Sequence, residues 1–315
     1  MHQRRVTWPT LPPVDIHHTR DDAIAAPARG LMPDFLVCIT FDYDNVSSTI
    51  ARGGITPTLV SRGEFGQTGA QRILGLLGAE GVPSTWFIPG HTIESYPASV
   101  AAVRDAGCEI GHHGWTHRVP ATLTREGENE ELERGIEAIT KLTGKKPAGY
   151  RSPAWDLSAY SVELLLQHGF QYDSSLMGHD TLPYQVRLGD QVELLAPMVF
   201  GADTALVEMP IHWSLDDFPH FEYSRSEAGI MPGHMNAGLV LENWLGDFAW
   251  MKRMGQWGVL TYTFHPHIIG RGHRMLMLEK LIRMLREQGA TFVTMEAALA
   301  AYRREYPGGN SLRGR

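Results

Sequence analysis

The sequence predicts an α/β protein built as a parallel β/α barrel, in which about seven strands form a curled sheet surrounded by helices. Short, wholly apolar runs alternate along the 315 residues with amphipathic stretches, as in barrels whose strands are buried on both faces. The alternation repeats in units of about 30 residues, the usual length of a strand, helix and strand unit. No internal repeat or long flexible linker divides the chain, so we expect one barrel over residues 35–305.

The individual strands and helices are predicted from local periodicity and from the residues that end each segment. Short apolar runs bounded by glycine, proline or polar residues are assigned as strands, and longer amphipathic stretches as helices. The predicted strands cover residues 35–41, 83–88, 108–113, 149–152, 171–175, 206–211, 258–264 and 291–295. The predicted helices cover residues 68–81, 99–107, 123–144, 161–169, 235–255 and 275–289, with another in the C-terminal segment.

Two terminal segments and two insertions lie outside this alternation. Residues 1–34 are rich in proline, histidine and charge without periodicity, so we expect an irregular N-terminal arm. Residues 306–315 form a short C-terminal tail. Residues 176–205 and 212–235 are predicted to be long loops that form part of the wall of a functional site.

Composition excludes several classes of partner. The 28 Lys and Arg residues and 35 Asp and Glu residues give a net charge of −7 without a basic stripe, which argues against nucleic acid and anionic membranes. The apolar runs are far shorter than the ~20 residues of a membrane span. Prolines and charges follow Arg4 and Arg5, where a signal peptide has an apolar stretch. Cys38 and Cys108 lie in apolar runs and are expected to be reduced thiols. We therefore expect a cytoplasmic protein.

Polar side chains follow five predicted strands, directly past the point where each strand ends. In a parallel β/α barrel, these carboxyl ends form the face on which active sites are built. We therefore expect the five segments to converge on one site. Its candidate residues are Asp42, Asp44, His113, His117, Arg151, Asp216, Asp217, His265 and His267.

The spacing of two of these pairs favours a metal site. Asp42 and Asp44 are two residues apart, so in an extended chain both carboxylates point to the same side and need a cation between them. His113 and His117 are four residues apart, neighbours on a helical turn, which lets two imidazoles reach one ion. Alone, each pair could equally be a turn or a surface pair. Together they indicate a site with two His ligands and one Asp ligand that leaves positions open, as in catalytic zinc centres.

Five segments occur in the order of the five motifs of the polysaccharide deacetylases. They are TFDYD (40–44), HGWTH (113–117), YRSPAW (150–155), EMPIHWSLDD (208–217) and LTYTFHP (260–266). Through them the chain resembles this family, also called NodB-like or carbohydrate esterase family four, over residues 35–300. The resemblance implies a deformed (β/α)7 barrel and a hydrolase of non-peptide carbon–nitrogen bonds that holds one divalent metal, usually zinc. It also implies a role for each of six residues. The metal ligands would be Asp44, His113 and His117. The catalytic base would be Asp42, its partner Arg151 and the general acid His265.

Two departures from the family pattern point to one branch of it. Tyr43 separates two carboxylates that are adjacent in common members, and the third motif reads RSPAW instead of Arg-aromatic-Arg-Pro. With these departures, the chain resembles the branch that holds peptidoglycan deacetylase-like proteins and hydrolases of cyclic imides and ureides. Segments shared with that branch are RGEFG (62–66), TWFIPGHTIESYP (85–97), YDSSLM (172–177) and HWSLDDFP (212–219).

The resemblance leaves three functional hypotheses. The first is a metal-dependent deacetylase of an N-acetylated sugar polymer such as peptidoglycan, and the second is a cytoplasmic hydrolase of small cyclic imides or ureides. The third is a catalytically silent carbohydrate-binding barrel. The presence of Asp42, Arg151 and His265 disfavours the third, because a binding protein has no use for a base and an acid beside a metal. The oligomeric state stays open, with a homo-oligomer among the options.

The expected chemistry has two proton transfers, one from the attacking water and one to the departing nitrogen. Asp42 takes a proton from water, and Arg151 keeps Asp42 ionised through a bidentate ion pair. His265 protonates the departing nitrogen, and His267, two residues later, is the competing acid. Asp216 or Asp217 is expected to hold His265 in its working tautomer.

Four tryptophans beside strand ends are weaker candidates for the pocket wall. Tryptophan at such positions packs in the core as often as it faces a pocket. These candidates are Trp86, Trp115, Trp155 and Trp213.

Overall fold

A computed structural model describes residues 35–226, 229–231 and 233–312 of the chain. The predicted arm, residues 1–34, and the last three residues of the predicted tail lie outside the described residues. Within the described ranges, no helix is both long and apolar enough to cross a membrane.

Seven parallel strands form the main sheet, as the sequence predicts. The strands of this sheet are β1 Phe35–Asp42, β2 Ser84–Ile88, β3 Glu109–His112, β4 Gly149–Tyr150, β5 Tyr172–Asp173, β6 Tyr184–Leu188, β7 Ala202–Glu208, β10 Gly258–Phe264 and β11 Thr291–Phe292. The seven parallel strands lie in the spatial order β10, β1, β2, β3, β4, β5 and β7. At the edge, β6 pairs with β7 in the antiparallel sense, and β11 pairs with β1. A separate hairpin joins β8 Ser224–Ser226 and β9 Gly229–Met231.

Helices connect the parallel strands and cover the outside of the sheet. The longer ones begin and end at typical capping residues: Thr124 and Asn236 accept backbone hydrogen bonds at helix starts, and Gly144 ends a helix with a positive φ of 79°. The helices are α1 Ser47–Ala51, α2 Pro57–Glu80, α3 Gly90–Ser95, α4 Pro97–Asp105, α5 Arg125–Thr143, α6 Ser161–His168, α7 Asp217–Phe221, α8 Ala237–Met254, α9 Pro266–Ile269, α10 Gly272–Glu287 and α11 Met295–Glu305.

The barrel is deformed because its two edges do not pair as strands in the described residues. Strands β10 and β6 are the ends of the sheet order. Near this opening, the N–H of Val259 in β10 donates to the carbonyl of Thr181, at 2.8 Å, in the segment before β6. The deformed (β/α)7 barrel is therefore confirmed, with one antiparallel strand added at its edge.

Alternation along β1 separates two buried layers and positions the first site residue. Val37 and Ile39 belong to the large core that includes residues of α2, α8 and α10, whereas Leu36 and Cys38 belong to a second core that includes residues of α11. Since successive strand residues point to opposite faces, Asp42 lies on the Leu36 side, at the carboxyl end of the strand. The apolar strand thus fixes the direction of a buried carboxylate.

A glycine face on α2 allows this helix to approach the loops that follow β1 and β10. A Cβ atom on Gly69 would lie 1.9 Å from the carbonyl oxygen of Pro266, and one on Gly66 would lie 2.3 Å from Oδ1 of Asn45. Any larger residue would push these loops outward. Helix α2 therefore supports the loop after Asp44 and the turn that carries His265.

Several boundaries differ from the predictions, and three of them concern segments near the carboxyl ends of the strands or their edge. Helix α2 begins at Pro57 instead of residue 68, because its buried face is glycine and shows no apolar period there. The predicted loop 176–205 contains β6 and the start of β7, whose first half is partly exposed and lacks an apolar run. The predicted loop 212–235 contains α7, β8 and β9.

Candidate active site

A pocket of about 340 Å³ opens at the carboxyl ends of the parallel strands. Two triads of Asp and His side chains meet there, each with its ligand atoms within 4.8 Å of one another. The polar residues predicted from the sequence that line the pocket are Asp42, Asp44, His113, His117, Asp216 and His265. The structure therefore brings together six of the nine predicted polar residues in one cavity.

The first triad, here called the Asp–His–His cluster, consists of Asp44, His113 and His117. Oδ1 of Asp44 lies 3.5 Å from Nε2 of His113, and Oδ2 of Asp44 lies 3.4 Å from Nε2 of His117. All three side chains are buried. Within the described residues, Oδ1 of Asp44 and Nε2 of His113 have no hydrogen-bond partner. Such atoms are costly to bury unless something binds them.

Burial favours the neutral form of both imidazoles in the cluster. Burial lowers the pKa of His113, and burial with the nearby charge of Arg52 lowers the pKa of His117 to about 3. Nδ1 of His113 lies 2.7 Å from the carbonyl oxygen of Arg151, which can only accept, so Nδ1 carries the proton. The lone pair of Nε2 therefore faces Asp44 and is free to bind a cation.

The loop that carries the two histidines is held by a residue on the neighbouring helix. Glu131 on α5 accepts hydrogen bonds from the backbone N–H groups of Trp115 and Thr116, at 2.7 and 2.9 Å. His117 has a positive φ of 62°, so residues 113–117 form an irregular turn. The predicted helical turn is wrong, because Glu131 replaces the helical hydrogen bonds. The imidazoles still meet, with ring centroids 4.9 Å apart.

The Asp42 carboxylate is held by Arg151 at the top of the barrel interior. Nη1 of Arg151 donates to Oδ1 of Asp42 at 2.8 Å and to Oγ1 of Thr40 at 2.9 Å. Burial would raise the pKa of Asp42, but the guanidinium charge outweighs it and lowers the pKa to about 2. The predicted bidentate ion pair is wrong: one nitrogen contacts one carboxylate oxygen, because Nε and Nη2 of Arg151 donate to the backbone and side chain of Ser174.

The second triad, here called the Asp–Asp–His cluster, consists of Asp216, Asp217 and His265. Nδ1 of His265 donates to Oδ1 of Asp217 at 2.8 Å, and the backbone N–H of His265 donates to the same carboxylate. Asp216 lies 3.4 Å from Nδ1 of His265 and accepts the backbone N–H of Phe218. Burial would lower the pKa of His265, but the two carboxylates raise it well above its usual value.

The weaker candidates divide between pocket and core. Trp155 and Trp213 line the pocket, and the indole N–H of Trp155 lies 3.4 Å from Oδ2 of Asp42. Trp86 instead stacks on Phe41 in the core with centroids 4.5 Å apart.

Two further candidates lie outside the lining of the pocket. Trp115 is also in the core, and the centroid of its ring lies 3.9 Å from the guanidinium carbon of Arg134. His267 is buried behind His265, and its Nε2 lies 3.8 Å from Oε2 of Glu222. Burial lowers the pKa of His267 well below the usual value.

Sequence reasoning missed three residues that shape the site. Glu131 is one of many charged residues on the predicted helix 123–144. The available signal was its apolar neighbour Leu132, a core residue, which indicates that this part of the helix is buried. Ser174, the partner of Arg151, lies in the segment YDSSLM, whose position after a strand was the available signal. Arg52 lines the pocket but follows a helix of five residues that had no recognisable pattern.

The Asp–His–His cluster fits a divalent cation. It offers one carboxylate oxygen and two neutral imidazole nitrogens, the donor set of catalytic zinc sites. Its unpartnered buried atoms are the ones a cation would bind, and the opposite ring nitrogen of His113 is already fixed by a backbone carbonyl. The described residues therefore contain a candidate metal site at the carboxyl face of the barrel.

Comparisons with known proteins agree with this fold and site. A sequence profile of the family described as polysaccharide deacetylase matches residues 31–172. The peptidoglycan deacetylase of Helicobacter pylori is 36% identical over 275 residues, which cover 83% of this chain and 94% of that protein. A crystal structure from Mycobacterium smegmatis, provisionally described as a polysaccharide deacetylase, superposes with a TM-score of 0.79 at 28% identity, covering 92% of this chain and 98% of the other.

The fold and these similarities define a hydrolase of carbon–nitrogen bonds other than peptide bonds. The chain belongs to the polysaccharide deacetylase family, as its five motifs implied. The structure of Puue allantoinase also superposes, with a TM-score of 0.73 at 19% identity over 93% of this chain and 99% of the other. At that identity the similarity concerns the fold.

Proposed function

We propose that this protein is a metal-dependent deacetylase of N-acetylated sugars, with peptidoglycan as the polymer class. The observation that carries the proposal is the content of one pocket: an Asp–His–His cluster with two unpartnered ligand atoms, a carboxylate held by a guanidinium, and a histidine held by two carboxylates. These are the parts that amide hydrolysis needs, because water must lose a proton and the departing amine must gain one.

Asp44, His113 and His117 would hold the divalent cation, which we propose is zinc. When bound, such a cation polarises an amide carbonyl and makes water more acidic. Their neutral rings and carboxylate are ready to bind without losing a proton from the histidines.

Asp42 is the proposed base. Its pKa of about 2 keeps it ionised throughout the physiological range, so it is always available to accept a proton. A carboxylate with so low a pKa is a weak base by itself, which suits a water whose acidity is already raised. Arg151 sets both the charge and the orientation of Asp42 through the 2.8 Å contact.

His265 is the proposed general acid. Nδ1 is occupied by Asp217, so Nε2 is the nitrogen left to deliver a proton, and the raised pKa of His265 favours the form in which both nitrogens are protonated. His267 is a poor alternative, because its lowered pKa leaves it neutral and it does not line the pocket. Asp217 is the proposed orienting partner, and Asp216 adds charge.

The substrate proposal rests on the relatives. The Helicobacter pylori protein is named a peptidoglycan deacetylase, and it matches this chain over 94% of its own length. Trp155 and the half-exposed Trp213 give the pocket aromatic walls on which a sugar ring can pack. The cyclic ureide alternative has only the fold likeness to an allantoinase in its favour.

Acetate release from purified, zinc-loaded protein tests the proposal. Acetylglucosamine oligomers and peptidoglycan fragments should be deacetylated, and a chelator should abolish the reaction. Hydrolysis of succinimide or allantoin without acetate release would replace the sugar substrate by a cyclic amide. Sugar binding without hydrolysis of any of these compounds would favour the silent binding barrel.

A further inference from the structure

A cation stands at the pocket without an ionic partner. Arg52 caps the C-terminal end of α1, is exposed to solvent and lines the pocket with Asp44 and His117. Of the Arg and Lys side chains in the described ranges, it alone lines this cavity. The hydrogen bonds and ion pairs of the described residues include no partner for its guanidinium.

The neighbouring charges do not neutralise Arg52. Arg62, a cation whose charge acts on Arg52, is paired with Glu222 at 2.7 Å. Arg274 donates to the carbonyl oxygens of Ile268 and Phe221 and carries a further positive charge beside Glu222. The single carboxylate of Glu222 therefore lies among several guanidinium groups. Of these, Arg52 is the one that lines the pocket.

The charge of Arg52 is felt inside the site. Arg52 lines the same pocket as Asp44 and His117, and the charge of Asp44 acts on it. No short contact ties Arg52 to Asp44, so the guanidinium remains free for a ligand. A planar guanidinium is the side chain best suited to carboxylate and phosphate groups, which it can bind through two parallel hydrogen bonds.

We propose that Arg52 is a specificity residue that binds an anionic group carried by the substrate close to its acetamido group. The substrate class is then an N-acetylated amino sugar with a carboxylate or phosphate substituent. N-acetylmuramic acid is the peptidoglycan sugar of this kind, because its lactyl ether, which carries a carboxylate, is attached to the ring carbon next to the one that bears the acetamido group. This inference rests on the proposed deacetylase function and narrows its substrate.

The test compares four matched sugars: N-acetylmuramic acid, its methyl ester, N-acetylglucosamine and N-acetylglucosamine 1-phosphate, whose phosphate is on the ring carbon next to the one that carries the acetamido group. For the wild type, kcat/KM of acetate release should be about 10- to 100-fold higher for a charged sugar than for the neutral ones, as expected for a charge-assisted contact. That excess should shrink as salt is added. The carboxylate and phosphate sugars show separately which anion is recognised.

Three variants locate the effect. Arg52→Gln should remove the excess of the charged sugars over the neutral ones, and Arg52→Lys should restore part of it. Arg104→Gln is the matched control: it removes one positive charge from the C-terminal end of α4, at the opposite end of the strands, and should change none of the rates. Equal rates for charged and neutral sugars in the wild type, or an equal loss for all four in Arg52→Gln, would overturn the inference.

Failure of the function and failure of the inference give different results. If the wild type hydrolyses none of the four sugars, the deacetylase function on such sugars fails. Calorimetric titration of the same sugars into the wild type and Arg52→Gln then decides the inference by itself. Tighter binding of a charged sugar that depends on Arg52 supports it, and binding indifferent to charge or to the variant contradicts it.

Discussion

The two triads of the pocket contain the same kinds of side chain in opposite proportion, and they behave differently. The Asp–His–His cluster has two imidazoles and one carboxylate, and two of its ligand atoms have no hydrogen-bond partner in the described residues. The Asp–Asp–His cluster has two carboxylates and one imidazole, and its ring proton and backbone N–H are already bound by Asp217. Both satisfy the same distance criterion for a metal site.

The difference teaches that proximity alone does not define a metal site. In the Asp–His–His cluster, an oxygen of Asp44 and a nitrogen of His113 are buried without a hydrogen-bond partner, and a cation can bind both. Two carboxylates around one imidazole share its protons instead and raise its pKa. One cluster is therefore suited to hold an ion and the other to hold a proton, although they lie in one cavity.

Breaking the Asp–His–His cluster should have the largest effect. His113→Ala removes a ligand nitrogen, so we expect loss of bound zinc and a fall in activity of more than about 100-fold, beyond the effect of losing an outer partner. Metal content by mass spectrometry and acetate release are the measurements. His265→Ala, in the other cluster, is the control and should keep its zinc. Stoichiometric zinc in His113→Ala would place the ion elsewhere.

The next largest effect is expected at Asp42, which belongs to neither triad but lies 3.8 Å from Nε2 of His113. Asp42→Asn keeps the shape and removes the proton acceptor, so kcat should fall by about 10³-fold while zinc remains bound. Single-turnover kinetics with metal analysis checks both halves. If zinc is lost as well, Asp42 is itself a ligand.

The Asp–Asp–His cluster is tested by the leaving group. His265→Ala should slow hydrolysis of an acetamide by about 10²-fold and that of a nitrophenyl ester far less, because the ester oxygen leaves without a proton. His267→Ala, which removes a neutral ring outside the pocket lining, should affect both substrates alike. The reverse pattern in the two variants would exchange the roles of these histidines.

A smaller change is expected from Asp217→Asn. The raised pKa of His265 means that the protonated acid is present at neutral pH and is lost only as pH rises through that pKa. Removing one of the two carboxylates lowers the pKa, so the alkaline limb of the kcat/KM profile should move to lower pH. Below that limb, we expect a loss of about tenfold. An unchanged alkaline limb would mean that another group titrates there.

The grouping of the site residues was largely predictable because it follows directly from where the apolar strands end. In β1 and β10, uninterrupted apolar runs set the residues that come just past the sheet, and these include Asp42, Asp44 and His265. The parallel strands bring such positions together without any knowledge of side-chain contacts. Their grouping in one pocket could therefore be anticipated, while their individual roles still depend on experiment.

The sequence could not show whether a given residue of a wholly apolar strand faces the core or the pocket. Trp86 is opposite Phe41 in the strand register and packs with it in the core, but β2 has no polar alternation to reveal this. Glu131 was equally hidden, since its hydrogen bonds reach a loop 15 and 16 residues earlier in the chain. Such contacts depend on tertiary structure.

The glycine face of α2 limits how this protein can be made more heat-stable. Replacing glycine by alanine inside a helix usually stabilises it by about 0.5–1 kcal/mol. Gly75 and Gly78 have open space around an added methyl group, so both replacements should raise the melting temperature in calorimetry without changing kcat. At Gly69 the same methyl group would collide with Pro266 and displace the neighbouring His265. Engineering of this helix for thermostability can therefore proceed on its solvent side, whereas its inner side must keep glycine for as long as the enzyme is to work.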